Sequence, residues 1–590
     1  MFVTTVVVWS FVPLFAFAEL SDVVGDAPMI IDGRSPEALV APGVTDVERI
    51  TVDGQPFARG LRVTVAEAVR PVWDAQVVSP SNRTPIAAGD VLFGYFDICA
   101  DTDLAPNGGY VVGWLQAQDQ GWEKVRKVEL SPGPTWSRRY FSATAARDFP
   151  AGAVNICLHL GTVAQQLDVG EIVVWNLGPD ADIDALPRTK LTYAGQAPDA
   201  PWRAEAAERI ERHRKADLTV RVIDADGKPV PDAQVEVELT RHAFHIGTFL
   251  EVESPVIRND ADAERFREVV KNNFNRVTVP IYAAGGWGWS DPDSREDFRA
   301  IIDWAVANDF YVSAHPVLWS RFDLSPPAWS ALRDDPAALE AATFAHLDAI
   351  LPELRQRGVD SAELLNEPIN DTELDDIIGK PDLRTRWFEH AGQVEPGLRY
   401  VINEFDIISS AGLDGHKQDA FAEQVRTLLD ADVPLGAIGF QCHIGEDFTP
   451  PTRMWKVFDR FAEFGLPLYV SEFDVNTEDE QLQADYTRDF VTAAFAHPAI
   501  EGVTFWGFWE GQMWIPRAAL WNADWTPKPN ALALQELLTE TFHTQAVLTT
   551  DADGTANIRG FLGDYAITLD GVTQQATLEK SGTTVTLRRR

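Results

Sequence analysis

Between Phe244 and Trp509 short apolar runs alternate with amphipathic stretches of helical period, and this exchange restricts the fold more than any other feature. Parallel strands covered on both faces read as continuous apolar runs, and each needs a long, usually helical, crossover before the next can pair beside it. Eight such runs occur, at 244–250, 275–281, 310–317, 362–368, 399–405, 436–443, 467–474 and 502–509. Stretches such as Asp260 to Lys271, Asp297 to Asn308, Pro336 to Leu351, Gln418 to Leu429 and Arg453 to Phe464 separate them. The pattern predicts an α/β fold, a closed (β/α)8 TIM barrel over 244–542.

A barrel of this kind keeps its chemistry where its strands end. The third predicted strand ends in His315-Pro316-Val317-Leu318-Trp319, the fourth in Asn366-Glu367 and the fifth in Asn403-Glu404. The sixth ends in Gln441-Cys442-His443, the seventh carries Glu472 and Asp474, and the eighth ends in Trp506 with Trp514 beyond. Packing alone does not place polar and aromatic residues at so many exits together. Pro368 stops the strand that delivers Glu367, and Pro467 to Val475 repeats the arrangement around Glu472. Two strand-end glutamates form a candidate acid and nucleophile for glycoside hydrolysis. Taken singly, each reads as a solvated loop carboxylate or a helix cap. Glu404 also ends a strand and competes for the acid's place, while His242 and His245 read as satisfied core groups or as supports behind the site.

The flanks have a different period. From Ile30 to Leu177 short alternating runs recur at Leu61 to Val65, Asp90 to Ile98, Tyr110 to Ala117, Arg139 to Phe141, Val154 to Leu160 and Glu171 to Trp175, which predicts a β-sandwich over 19–178. Its aromatics Trp73, Trp114, Trp122 and Tyr110 either fill a core or present a sugar-stacking face. Residues 179–216 are rich in Asp, Ala and Pro and then helical, predicting a linker and helix. Leu218 to Ile223 and Ala233 to Leu239 alternate around Ala225-Asp226-Gly227-Lys228, predicting a β-hairpin over 217–243. The alternation resumes in 543–590, and these two flanking segments are expected to meet as β-structure beside the barrel.

At 590 residues the chain exceeds one domain, and 45% hydrophobic residues with 19 Trp suffice for several cores. A balance of 50 basic against 89 acidic residues gives a net charge of −39, which disfavours nucleic acid and anionic membranes and favours a neutral polymer as partner. Residues 1–18 are nearly all apolar and end Ala16-Phe17-Ala18, a signal-peptide pattern without a basic start, with an uncleaved anchor as the alternative. The reading implies a secreted, periplasmic or extracellular protein with no stable membrane insertion after cleavage. Of three cysteines, Cys99 and Cys157 are either paired or core thiols, and no spacing suggests a metal site.

These residues carry a resemblance. Phe244-His245-Ile246-Gly247-Thr248, Phe274-Asn275, His315 to Trp319, Asn366-Glu367-Pro368, Gln441-Cys442-His443, Ser471-Glu472-Phe473-Asp474 and Thr504-Phe505-Trp506-Gly507 resemble, in order and spacing, family 10 glycoside hydrolases, mainly endo-β-1,4-xylanases. The resemblance implies Glu367 as acid/base and Glu472 as nucleophile in a retaining reaction on a β-1,4-linked polysaccharide, with neither cofactor nor metal. It implies that Asn366 holds the sugar 2-hydroxyl, that His443 bonds the nucleophile, and that His315, Trp319, Trp506 and Trp514 wall the sugar next to the cut. Gln441 and Asp474 belong to the same matched motifs. One departure stands out: a Glu-Asn pair and a Lys that clamp the glycone in relatives are replaced by Pro280, Ile281 and Ala284. Tyr282, Trp287 and Trp289 nearby, with Arg321 and Arg517 at the rim, predict a flatter, aromatic glycone site for a decorated or different β-glycan. The region from Trp136 through Leu158-His159-Leu160-Gly161 to Gly170 to Trp175 resembles jelly-roll carbohydrate-binding modules. A non-catalytic carbohydrate-binding protein on the same barrel is the alternative.

Overall fold

The computed structural model describes residues 16–101, 103, 108–118 and 121–589. The chain divides into two compact units, Met1–Leu191 and Thr192–Arg590. The signal-peptide reading of 1–18 falls outside the described residues as far as residue 15, and a helix spans Ala16–Val24. Among the described residues no helix is long and apolar enough to cross a membrane.

In the first unit a six-stranded sheet runs in the order Asp46–Thr51, Arg59–Val65, Gln165–Asn176, Val91–Asp101, Ser137–Thr144, with Met29–Gly33 also on Gln165–Asn176. A second sheet orders Gln76–Val78, Val154–His159, Val111–Ala117, Glu123–Leu130. Leu61, Val63 and Ile98 of the first sheet share one core with Val77, Leu115 and Ile156 of the second, which makes the pair a sandwich. Asp46–Thr51 and Glu123–Leu130 escape an alternation-based reading because they are edge strands with mostly exposed or charged residues. Tyr110 is 2% exposed and so belongs to the core, whereas Trp73 and Trp122 are more than half exposed. All three cysteines are free and buried.

Residues 179–216 are not the open linker their composition predicts. Ile183 and Leu186 pack on the Phe93, Tyr95 and Trp175 cluster of the first unit. In the second unit the Tyr193 hydroxyl donates to Asp489 at 2.7 Å, ahead of the helix Trp202–His213. Proline and aspartate dictate irregular backbone there but do not prevent it from packing.

The second unit holds the barrel. Its strands are β1 His245–Phe249, β2 Arg276–Pro280, β3 Tyr311–His315, β4 Ser361–Asn366, β5 Arg399–Glu404, β6 Leu435–Ile444, β7 Leu468–Val475 and β8 Ile500–Phe505. Every adjacent pair is parallel, and β1 pairs with β8 through His245 and Gly502 to close the ring. Pro316 interrupts β3, and pairing with β4 resumes at Leu318 and Trp319. Aspartates 260, 291, 335, 414 and 479 each accept a backbone N–H at the start of a crossover helix, fixing where those helices begin.

The flanking segments meet, but not as a hairpin. Lys215–Ile223 pairs antiparallel with Thr555–Phe561 and parallel with Thr583–Arg588, whereas Gln234–His242 pairs with Gln545–Thr549 and Gly563–Leu569. The Asp224–Lys228 turn closes locally, yet the strands on either side belong to different sheets. Leu218, Val220 and Val222 in one sheet and Val235, Val237 and Leu239 in the other are buried, so a two-sheet module satisfies both apolar faces as a lone hairpin would not. His242 leads directly into β1, and Asn275 bonds the backbone of His242, Phe244 and Ile246, so the module lies at the N-terminal end of the barrel.

Candidate active site

At the opposite end, β4 delivers Asn366 and Glu367. Glu367 leaves the strand in a left-handed conformation with φ of 51°, and its N–H donates to Asn403 O at 2.9 Å. The next turn is held from β5: buried Glu404 accepts the Ile369 N–H at 2.9 Å and pairs with Lys417 at 3.1 Å. This geometry gives Glu404 a positioning task, not an exposed acid's.

β7 delivers Glu472, which is 3% exposed. Asn403 Nδ2 donates to Glu472 Oε1 at 2.7 Å and also reaches Asn366 Oδ1 and Glu363 Oε2, both at 3.1 Å. Gln441 Nε2 donates to Glu367 Oε1 at 2.8 Å and to Asn366 Oδ1 at 3.3 Å. The two carboxyls are therefore joined through Asn366, whose own Nδ2 is buried without a protein partner. A buried donor left open in such a network is available to a ligand.

His443 Nε2 lies 3.1 Å from Glu472 Oε2, and its Nδ1 lies 2.8 Å from Asp474 Oδ2, which also accepts from Trp514 Nε1 at 3.0 Å. Burial opposes a charge on His443, but Asp474 and Glu472 outweigh it and raise the imidazole to about 10. Glu367 is pushed the other way: burial raises its carboxyl to about 8 against the opposing Gln441 hydrogen bond, and the Glu472 charge adds a lesser push upward. One glutamate thus sits beside a cation and hydrogen-bond donors while the other favours its proton.

His315 Nδ1 lies 2.6 Å from Glu363 Oε2. Its ring meets Trp506 edge to face at 4.8 Å, and Trp506 stacks on Phe249 at 4.2 Å. Trp319 donates to Asp371 at 2.6 Å. Trp514 is 55% exposed. Every residue named from the strand exits is thus brought to one mouth. Donor atoms of His315, Glu363 and Glu472 lie within 4.8 Å of one another, but the His315–Glu363 bond and the Asn403 donors already occupy those lone pairs, so the cluster fits a hydrogen-bond network better than a metal site.

Glu363 escapes the strand-exit criterion, and Asn403, named at the exit of the fifth strand, received no role there. The available signal for Glu363 was an acid inside the apolar run Ala362 to Leu365, which requires a buried partner. Trp289, expected at the glycone side, is core: it is 8% exposed and stacks on Phe298. Arg321 pairs with Asp323 and Asp371, and Arg517 with Glu478. His242 contacts Phe542 O and His245 lies between Tyr311 and Tyr469, both far from this mouth at the barrel's other end.

Residues 239–537 match the sequence model of glycosyl hydrolase family 10. The anti-sigma-I factor RsgI6 of Acetivibrio thermocellus is 27% identical over 388 residues, covering 65% of this chain and 48% of that protein. Endo-1,4-beta-xylanase 1 of Arabidopsis thaliana is 24% identical over 417 residues, covering 69% of this chain and 42% of that protein. The chain thus spans about half the length of these curated relatives. Among solved structures, xylanase 10B from Thermotoga petrophila RKU-1 in complex with xylobiose aligns with a TM-score of 0.44 at 22% identity, covering 51% of this chain and 95% of that one.

Proposed function

Because the chain belongs to glycosyl hydrolase family 10, we propose that its barrel hydrolyses a β-1,4-linked polysaccharide of the xylan type, endo-acting and with retention, using Glu472 as nucleophile and Glu367 as acid/base. The observation that carries this reading is the opposed setting of the two carboxyls. Glu367, raised to about 8, holds the proton that the leaving oxygen needs, and Glu472 accepts from Asn403 at 2.7 Å and lies 3.1 Å from His443 Nε2.

In the first step Glu472 Oε attacks the anomeric carbon as the glycosidic bond breaks, and the Glu367 proton passes to the departing oxygen. This leaves a glycosyl ester on Glu472 and an ionised Glu367. In the second step Glu367 takes a proton from water, whose oxygen displaces Glu472 and restores both groups. The open Asn366 Nδ2 is suited to the sugar hydroxyl beside the reacting carbon. Trp319, Trp506 and Trp514 supply flat apolar walls for sugar rings.

Plain xylan is not the best fit to the glycone side. Pro280, Ile281 and Ala284, where the clamp would stand, are buried and apolar. Tyr282 and Trp287 line this side instead, 5.3 Å apart. A decorated or different β-glycan is therefore the second reading. The N-terminal unit is proposed to hold the same polymer: Trp73 and Trp114 flank His159 at 6.4 Å each, beside Asn155, whose Oδ1 is buried without a partner. Secretion accords with the apolar start of the chain.

The test is the configuration of the first product by NMR: retention is expected, and an inverted product would defeat the assignment. Glu472→Gln should abolish turnover. Glu367→Gln should spare substrates with good leaving groups, which need little acid help.

A further inference from the structure

The glycone side lacks its polar clamp, but β1, the strand beside β2, is followed by a carboxyl. Glu251 follows β1, which lies between β2 and β8 and three strands from β4, the strand carrying the leaving-group acid. Glu251 has φ of 30° and Glu253 φ of 60°, left-handed values that non-glycine residues keep only when their surroundings hold them. Gln512 supplies the hold: its Nε2 donates to Val252 O at 2.8 Å and Glu253 O at 2.9 Å.

Opposite, Gly507 leaves β8 just after Trp506 with φ of 97°. A Cβ there would come within 2.7 Å of Glu251 Oε1, so the missing side chain makes room for this carboxyl. Oε1 is buried and has no hydrogen-bond partner. Such a group is costly, and Phe249, two residues before it, stacks at 4.2 Å on Trp506, whose ring meets His315 at the mouth. Burial raises Glu251 to about 8, so at neutral pH it carries a proton and can both donate and accept.

Resting on the roles given above to Glu367 and Glu472, we propose that Glu251 is a specificity residue of the glycone side, binding a hydroxyl of a neutral sugar in place of the missing clamp. A protonated carboxyl donates to and accepts from a sugar hydroxyl, and only its ionised form repels a sugar carboxylate.

The experiment compares the full-length protein with E251A and E251Q on xylohexaose, and on a xylo-oligosaccharide bearing a glucuronic acid at the glycone end, between about pH 6 and pH 9. E251A is expected to raise KM for xylohexaose about tenfold while kcat stays within about twofold, the size of one lost hydrogen bond. E251Q, whose amide donates and accepts, is expected to restore KM. Wild-type KM should rise as pH passes about 8, and that rise should vanish in E251Q. As pH passes about 8 the acidic substrate should lose more than the neutral one in the wild type, and not in E251Q. Unchanged KM in E251A overturns the proposal, as does an equal loss of kcat and melting temperature in both variants, which is the mark of a purely structural loop. Calorimetric titration of xylohexaose into E472Q and into E472Q/E251A reads the same contact without turnover. Glu251-dependent binding by a protein that hydrolyses nothing would leave this inference standing and remove the catalytic one; absence of binding would remove both.

Discussion

Catalysis of the kind proposed needs Glu367 to hold its proton when the leaving oxygen departs, and pH decides whether it does. The alkaline limb of kcat/KM is expected to fall as pH rises through about 8, following the raised Glu367. A limb well below this would mean that a different group supplies the proton. The same shift has a cost in stability. A carboxyl raised from 4.5 to about 8 contributes its full stability below pH 4.5 and loses it as pH rises through about 8. Glu367→Gln has no charge to bury, so its melting temperature should equal the wild type's near pH 4 and exceed it near pH 8. Scanning calorimetry at the two pH values checks this, and equal differences at both would show that the gain is unrelated to ionisation. His443 has the opposite relation to its charge. Held at about 10 by Asp474 and Glu472 against the cost of burial, it stays cationic through this range and keeps Glu472 company as Glu367 titrates.

Among the elements, the terminal β-module is the one whose removal is most informative. Lys215–Ile223 is the central strand of its sheet, bonded on one side to Thr555–Phe561 and on the other to Thr583–Arg588. Val220 points into the module and is 0% exposed. Val220→Asp places a charge in that apolar interface and is expected to destabilise the unit by about 3 kcal/mol or more. Denaturant melts would register this as a lower midpoint. Activity of the molecules still folded should be unchanged, because the module joins the barrel at the end opposite Glu367 and Glu472. An unaltered melt would mean that the module folds separately from the barrel. The hairpin reading failed at this scale for a physical reason. Alternation shows which face of a strand is apolar, but not which strand will cover it.

For the whole molecule, the division at Leu191 and Thr192 separates a sandwich with exposed tryptophans from a barrel with its own core. The segment 192–590 alone is expected to keep kcat/KM on short soluble oligosaccharides within about twofold, since each unit supplies its own contacts. On insoluble polysaccharide the full chain should be faster, because a second binding face raises the effective concentration of the barrel at the polymer. Trp73→Ala with Trp114→Ala in the full chain should reduce it to the rate of 192–590. Equal rates for all three forms would remove the sugar-binding face from the sandwich.

The sequence by itself determined the eight βα units, the strand exits and the two glutamates, because strand and helix periods are local properties written along the chain. It also carried the apolar residues Pro280, Ile281 and Ala284 at the end of β2 and beyond it. Only the tertiary structure decided which groups those exits would meet. Asn403 became the donor shared by Glu363, Asn366 and Glu472, and His315 found Glu363 one strand away. Glu251 came to lie against Gly507, far along the chain, through the closure of β1 onto β8. Such contacts depend on register and ring closure between distant segments. Their energies decide protonation and specificity, and no local period encodes them.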